Sequence, residues 1–243
     1  MLAKLFIPCM LLFLCSCGST PSSYEIGVDP SWYPLTFHKQ QNSILGFSTD
    51  ILTQVSIKED ISFSLLETNW DSLLDGLNSQ KYQAVLTSLT PYNFNQSVYS
   101  FSEPFLPLGP VLIVPLASSE DSLKGFSGKS VGVIEDSPEI LILEKDPTIL
   151  IRTYENASSL LTDLVAESIQ AGLLPILTAS AYVDHLYYKK LKIASDSLTN
   201  QGLRLITLKD KNPKLIEKFN DGIEKLKKSG EYEKLLVKWN LAN

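Results

Sequence analysis

Side chains able to do covalent chemistry are scarce in this chain, and their placement limits what they could do. The cysteines are Cys9, Cys15 and Cys17, and the histidines are His38 and His185. Beyond Cys17 there is no thiol nucleophile, no cysteine pair for a disulfide and no thiolate set for a metal. Two histidines far apart in sequence, each expected at the surface, leave a histidine-centred metal site or triad almost nothing to stand on. The segment Gly125-Phe126-Ser127-Gly128-Lys129-Ser130 ends like a phosphate-binding loop. It lacks the glycine that such a loop needs at position 123, so it reads as a turn into a strand. With 21 basic against 27 acidic residues and no basic stripe, nucleic acid is not an expected partner. Catalysis, a metal and a cofactor are likewise not expected.

The first residues read as an address. Lys4 supplies a positive charge, and Leu2 to Leu14 form an almost unbroken apolar run, the pattern of a secretory signal and too short for a spanning helix with polar flanks. Its end, Leu14-Cys15-Ser16-Cys17, resembles the lipobox of bacterial lipoproteins, in which an aliphatic residue three places before the cysteine and a small one directly before it permit acylation of the thiol and of the new amine. Residues 1–16 are thus expected to be a signal peptide, with Cys17 the lipidated first residue of the mature chain. Two or more acyl chains such as palmitate, at about 0.8 kcal/mol per buried methylene, give stable anchoring. Residues 17–23, rich in Gly, Ser, Thr and Pro, suit a flexible tether. Localisation in the periplasm or cell envelope, held to a membrane by lipid, follows as an expectation.

The body must position whatever chemistry remains, and its patterning is α/β. Tyr24 to Val28, Ile61 to Leu66 and Ala84 to Leu89 are strand-like, with helical segments around Ile51 to Ile57 and Leu73 to Leu77 between them. The proline-rich stretch from Phe101 to Pro110 breaks this rhythm and reads as a crossing between lobes. A second α/β unit follows. It has strands at Ser130 to Ile134, Ile149 to Thr153 and Leu173 to Leu177. Helices are expected near Pro138 to Glu144, from Asn156 with Leu160, Leu161, Leu164 and Val165 inward, and from Ala179 to Lys190. Two terminal helices close the chain, the first opened by Asn212 and Pro213 and stopped at Ser229-Gly230, the second carrying Tyr232, Leu235, Leu236 and Trp239 on one face. The expected organisation is one lobe of residues 24–110 plus 203–243 and another of residues 111–202, each a mostly parallel sheet flanked by helices.

Several segments, in order, resemble the extracellular solute-binding proteins of ABC importers, in particular the polar amino acid family with its two-lobed, type II periplasmic-binding-protein fold. They are Gly27-Val28-Asp29-Pro30-Ser31-Trp32-Tyr33-Pro34, Gly46-Phe47-Ser48-Thr49-Asp50, Asn69-Trp70-Asp71-Ser72-Leu73-Leu74, Phe101-Ser102-Glu103-Pro104-Phe105, Gly128-Lys129-Ser130-Val131-Gly132-Val133 and Lys228-Ser229-Gly230-Glu231-Tyr232 with Trp239. The resemblance implies a monomer that captures a small polar solute, an amino acid or something like one, and hands it to an ABC permease in the inner membrane. It places the solute between the lobes. Trp32 and Trp70 match positions that hold rings or apolar groups against the ligand, Asp29 a polar position beside the first, and Thr87, Ser88 and Thr90 the hydroxyl-bearing segment that meets the ligand's main-chain groups. Ser137 and Glu139 fall where the second lobe meets the ligand.

Two departures bear on specificity. An ungapped match places Asn95 where the family carries the arginine for an α-carboxylate, and another places Leu174 where it carries the acidic residue for an α-ammonium. With both halves of that clamp missing, the ligand is either not a standard α-amino acid or is held by substitute groups. Glu135, Asp136 and Glu139 could supply negative charge for a cationic ligand, and Arg204 or Arg152 could replace the lost arginine. Two other readings stay open on the same fold: a dehydratase using a cleft carboxylate, Glu135 or Glu139, and a sensory or interaction lipoprotein.

Overall fold

A computed structural model describes residues 22–33, 35, 37, 40–183 and 185–241. Cys17, His38 and the whole leader and most of the tether lie outside the described residues. No helix among the described residues is long and apolar enough to cross a membrane.

The first lobe is built on β1 (Ser22–Val28), β2 (Ile61–Glu67) and β3 (Ala84–Thr87), three parallel strands in the order β2-β1-β3, connected through α1 (Gln41–Glu59) and α2 (Trp70–Asn78). Two short strands follow, β4 (Tyr99–Phe101) and β5 (Leu106–Pro107), and the chain then enters the second sheet as β6 (Pro110–Pro115). That sheet adds β7 (Ser130–Ile134), β8 (Leu150–Tyr154), β9 (Ala171–Pro175) and β10 (Leu191–Ile193) in the order β10-β6-β9-β7-β8, with α4 (Ile140–Leu143), α5 (Ala157–Val165) and α6 (Ile176–Val183) on its connections and the short α3 (Asn93–Gln96) before β4. The chain returns as β11 (Gly202–Leu208), which pairs antiparallel with β3, β4 and β5. Helices α7 (Pro213–Ser229) and α8 (Glu231–Lys238) then cover the first sheet. In each sheet a single strand opposes the rest, β11 in the first and β6 in the second. The expected two-lobed α/β architecture is therefore present.

Strand periodicity decides which side chains fill each core. Along β6, Val111 and Ile113 join one cluster with Leu160, Leu161 and Leu164 of α5, while Leu112 and Val114 join another with Val131 and Val133 of β7. Both faces are covered, so the strand reads as a continuous apolar run. In β11, Leu203 and Leu205 face Phe219 and Leu226 of α7, whereas Ile206 packs with Leu73 and Leu77 of α2. Burial of these side chains contributes about 1.5–3 kcal/mol each before the entropic cost of ordering. Gly230 joins α7 to α8 at φ 71°, a left-handed conformation that favours glycine.

Several boundaries differ from the sequence expectation. β1 starts at Ser22, because ladder pairing of Ser22 and Ser23 with Ile61 and Ser62 uses backbone groups and needs no apolar side chain. β9 stops at Pro175, and Ile176 and Leu177 already belong to α6, which ends by Val183 instead of running to Lys190. Val165, expected inward, is exposed at the end of α5. Asn212 does precede α7, with Pro213 in its first turn, but its side chain makes no capping bond and donates instead to the Gln83 carbonyl.

Candidate functional site

The lobes are joined by two crossing segments that bond to each other. Leu108 N–H donates to the Gln201 carbonyl at 3.0 Å, and Leu198 N–H donates to the Pro110 carbonyl at 2.8 Å. Above this junction lies a cleft of about 480 Å³. Its first wall comes from residues following β1 and β3: Leu35, Phe37, Gln40, Ser88 and Thr90. Its second wall comes from residues at the ends of β7 and β9: Glu139, Pro175, Leu177 and Thr178. Leu108, Gln201 and Gly202 of the crossing segments complete it. The cleft thus lies beyond the carboxyl ends of a pair of parallel strands from each sheet, β1 with β3 and β7 with β9, the usual position for ligands in open α/β sheets. Its size suits a small solute.

The expected site residues distribute unevenly around it. Asp29 directly follows β1 and is buried, and its carboxylate is occupied by Ser31, whose N–H donates to it at 2.9 Å and whose hydroxyl donates at 2.8 Å. This turn holds the following loop. Trp32 stands at φ 58°, uncommon for a bulky side chain, and its ring is only 2% exposed within the first lobe's core. Its indole N–H has no acceptor among the described residues. Of the two expected tryptophans it is Trp70, at the start of α2, that is partly exposed, and it pairs with Tyr33 at a ring-centroid distance of 5.5 Å. Tyr33 carried no signal beyond its place beside Trp32.

The hydroxyl segment is fixed by its own backbone. Buried Thr87 accepts from the Leu89 N–H at 3.2 Å, and the Asn95 side-chain amide donates to the Thr90 carbonyl at 2.8 Å. Ser88 and Thr90 line the cleft between these two ties. Asn95 belongs to α3 (Asn93–Gln96), which carries no basic residue. On the second lobe, Glu135 and Asp136 are exposed and do not line the cleft, whereas Glu139 does, at 8% exposure. No hydrogen bond or ion pair to its carboxylate is made by the described residues. The Ser137 hydroxyl, in the same loop, is buried with no partner among the described residues. Leu174 packs into the second lobe's core, and the strand's alternation brings its neighbour Pro175 to the cleft. Whichever of the two is matched, the position offers no carboxylate.

Neither substitute arginine reaches this cleft. Arg152 is exposed on β8, its guanidinium donating to the Ser168 carbonyl at 3.4 Å and lying 4.0 Å from Asp163. Arg204 is 4% exposed and donates to the Ser102 and Asn200 carbonyls at 2.7 and 2.8 Å, in a separate cavity that also holds Glu103 and Lys209. Burial lowers its pKa, with the charge of Glu103 pulling the other way. Gln201, Gly202, Leu108, Phe37 and Thr178, which line the cleft, carry no distinguishing motif and were not expected.

Comparison with known proteins places this geometry. The arginine-binding extracellular protein ArtP of Bacillus subtilis (strain 168) is 23% identical over 248 residues, covering 98% of this chain and 96% of its own. The L-cystine-binding protein TcyJ of Escherichia coli (strain K12) is 25% identical over 218 residues, covering 88% and 81% respectively. Among solved structures, the L-cystine solute receptor of Neisseria gonorrhoeae in its unliganded open conformation aligns with a TM-score of 0.63 at 20% identity, covering 90% of this chain and 92% of that one. Solute binding is thus the role these relatives share, and the pattern of one family runs through almost the whole fold. Over residues 24–242 the chain belongs to the bacterial extracellular solute-binding proteins, family 3.

Proposed function

We propose that this chain is the substrate-binding lipoprotein of an ABC importer. It captures a small polar solute, an amino acid or an amino-acid-like compound, and delivers it to a permease in the inner membrane. The observation that carries this reading is a single cleft in which Ser88 and Thr90 of one lobe and Glu139 of the other share the wall. Names of relatives that bind arginine and cystine support the solute class. Residues 24–110 plus 203–243 act as lobe 1 and residues 111–202 as lobe 2, a division supported by the membership of the two sheets. Ser88, Thr90 and Glu139 contact the solute, and Trp70 with Tyr33 supplies aromatic surface. Asp29, Trp32, Thr87, Asn95 and Ser137 shape the loops that hold them. The solute leaves unchanged, and the working form is a monomer.

A thermal-shift screen of amino acids, amines and small peptides tests this. A true solute binds only the folded state and raises the melting temperature by linkage, about 2.7 kcal/mol at one hundred times its Kd. Conversion of that solute into a product would overturn the reading in favour of the dehydratase. The anchor is tested separately: Cys17→Ser should abolish acyl labelling and membrane retention, and labelling that persists in that variant would refute Cys17 as the lipidated residue.

A further inference from the structure

We infer that the solute taken by this cleft is an organic cation with an apolar body and no free carboxylate: an amine, a guanidine, or an amino acid whose carboxyl is masked. The inference rests on the solute-binding reading above and names its substrate class. Glu139 is the one ionisable side chain on the described wall. It is 92% buried (8% exposed), yet no described residue gives it a cation or a hydrogen-bond donor. A carboxylate on this wall with no partner among the described residues loses water when a solute closes over it, and a cationic solute offsets that loss.

Nothing on the described wall repays a second carboxylate. The opposing polar groups, Ser88, Thr90, Gln40 and Gln201, are neutral. The Asn95 amide is committed to the Thr90 carbonyl and the Arg204 guanidinium to the Ser102 and Asn200 carbonyls. A zwitterion would place its anionic end against a wall whose described residues carry one negative charge and no positive one. The apolar share of the wall, including Leu35, Phe37, Leu108 and Leu177, calls for a hydrocarbon or aromatic body next to the cationic end.

Calorimetry on the detergent-purified full chain with matched pairs tests the inference: agmatine against L-arginine, cadaverine against L-lysine, phenethylamine against L-phenylalanine, and arginine methyl ester beside the first pair. In at least one pair the amine should bind at least tenfold more tightly than its parent acid. Glu139→Gln should weaken that binding at least tenfold while leaving the melting temperature of the solute-free protein unchanged or higher, because the carboxylate makes no bond to any described residue. A parent acid that binds as tightly as its amine would overturn the inference and assign the carboxylate to a cation such as Lys39, which lies outside the described residues. Unchanged amine affinity in Glu139→Gln would also overturn it. Preference for a neutral or anionic solute would sink the class and leave the solute-binding reading standing, whereas silence across the whole thermal-shift screen would sink both.

Discussion

Trp32 and Trp70 separate two roles that their residue type cannot. Trp32 is enclosed by Ile26, Val28, Phe47 and their neighbours, while Trp70 is half-buried beside Tyr33. Replacing Trp32 with Ala should therefore cost about 3–5 kcal/mol of stability, the range for emptying a large core site. Trp70→Ala should cost clearly less and act mainly on solute affinity. Urea unfolding of both variants checks this, and equal losses of stability would reject the distinction. From the sequence, a ring just past the end of a strand could serve as wall or core, since both bury it. The same limit applies at Asn95, where the missing arginine was legible but the use of the amide to hold the Thr90 carbonyl was not. At β9 the buried run Ala-Gly-Leu-Leu-Pro hid which residue ends the strand. Pro175 was the available signal, because it cannot donate to a ladder and faces Pro110 in the register.

At the scale of elements, helices with a clear apolar face were legible and the pairing partners of distant strands were not. α7 shows Leu215, Phe219, Ile223 and Leu226 at helical spacing, and all four are buried. By contrast the apolar runs of β6 and β11 carry no mark of strand direction, and their antiparallel insertion depends on partners far away in sequence. β10, of three residues, is fixed by the edge of β6 alone and has little pattern of its own. The terminal helices are held to the crossing region by a specific bond: the Tyr232 hydroxyl, deeply buried, donates to the Phe105 carbonyl at 2.7 Å. Burial drives its pKa well above the usual phenol range, with the charge of Glu233 adding to the effect, so it stays a neutral donor. Tyr232→Phe keeps the ring against Phe47 and removes only the donor, leaving a buried carbonyl unpaired. The expected loss is about 1–3 kcal/mol. Calorimetric melting should then fall by roughly 2–4 °C for each kcal/mol lost; an unchanged midpoint would show that the carbonyl finds another partner.

For the molecule as a whole, the two lobes share a seam in which the outgoing and returning segments lie against each other, and Gly109 sits in it without room for a side chain. A Cβ at Gly109 would stand 2.2 Å from the Thr199 hydroxyl and 2.3 Å from that of Ser197, with the Thr199 carbonyl at 3.3 Å. Its own carbonyl accepts from the Ile176 N–H at 3.1 Å, which ties the seam to the start of α6 and so to the cleft wall. Gly109→Ala must therefore push the crossing segments apart, at about 1–3 kcal/mol for an overpacked site. Because the obstruction is two short side chains, the pair Ser197→Ala and Thr199→Ala in the Gly109→Ala background should restore most of that loss, which denaturant titration would read directly. The same geometry sets how the lobes can move. Rotation about the two hydrogen-bonded segments would close the cleft by hinge bending without breaking either sheet. Small-angle scattering should show the radius of gyration fall when a verified solute saturates the protein. If closure depends on this seam, Gly109→Ala should weaken solute binding and blunt the compaction together, while the rescued triple variant recovers both. Compaction that survives in Gly109→Ala with unaltered affinity would place the hinge elsewhere.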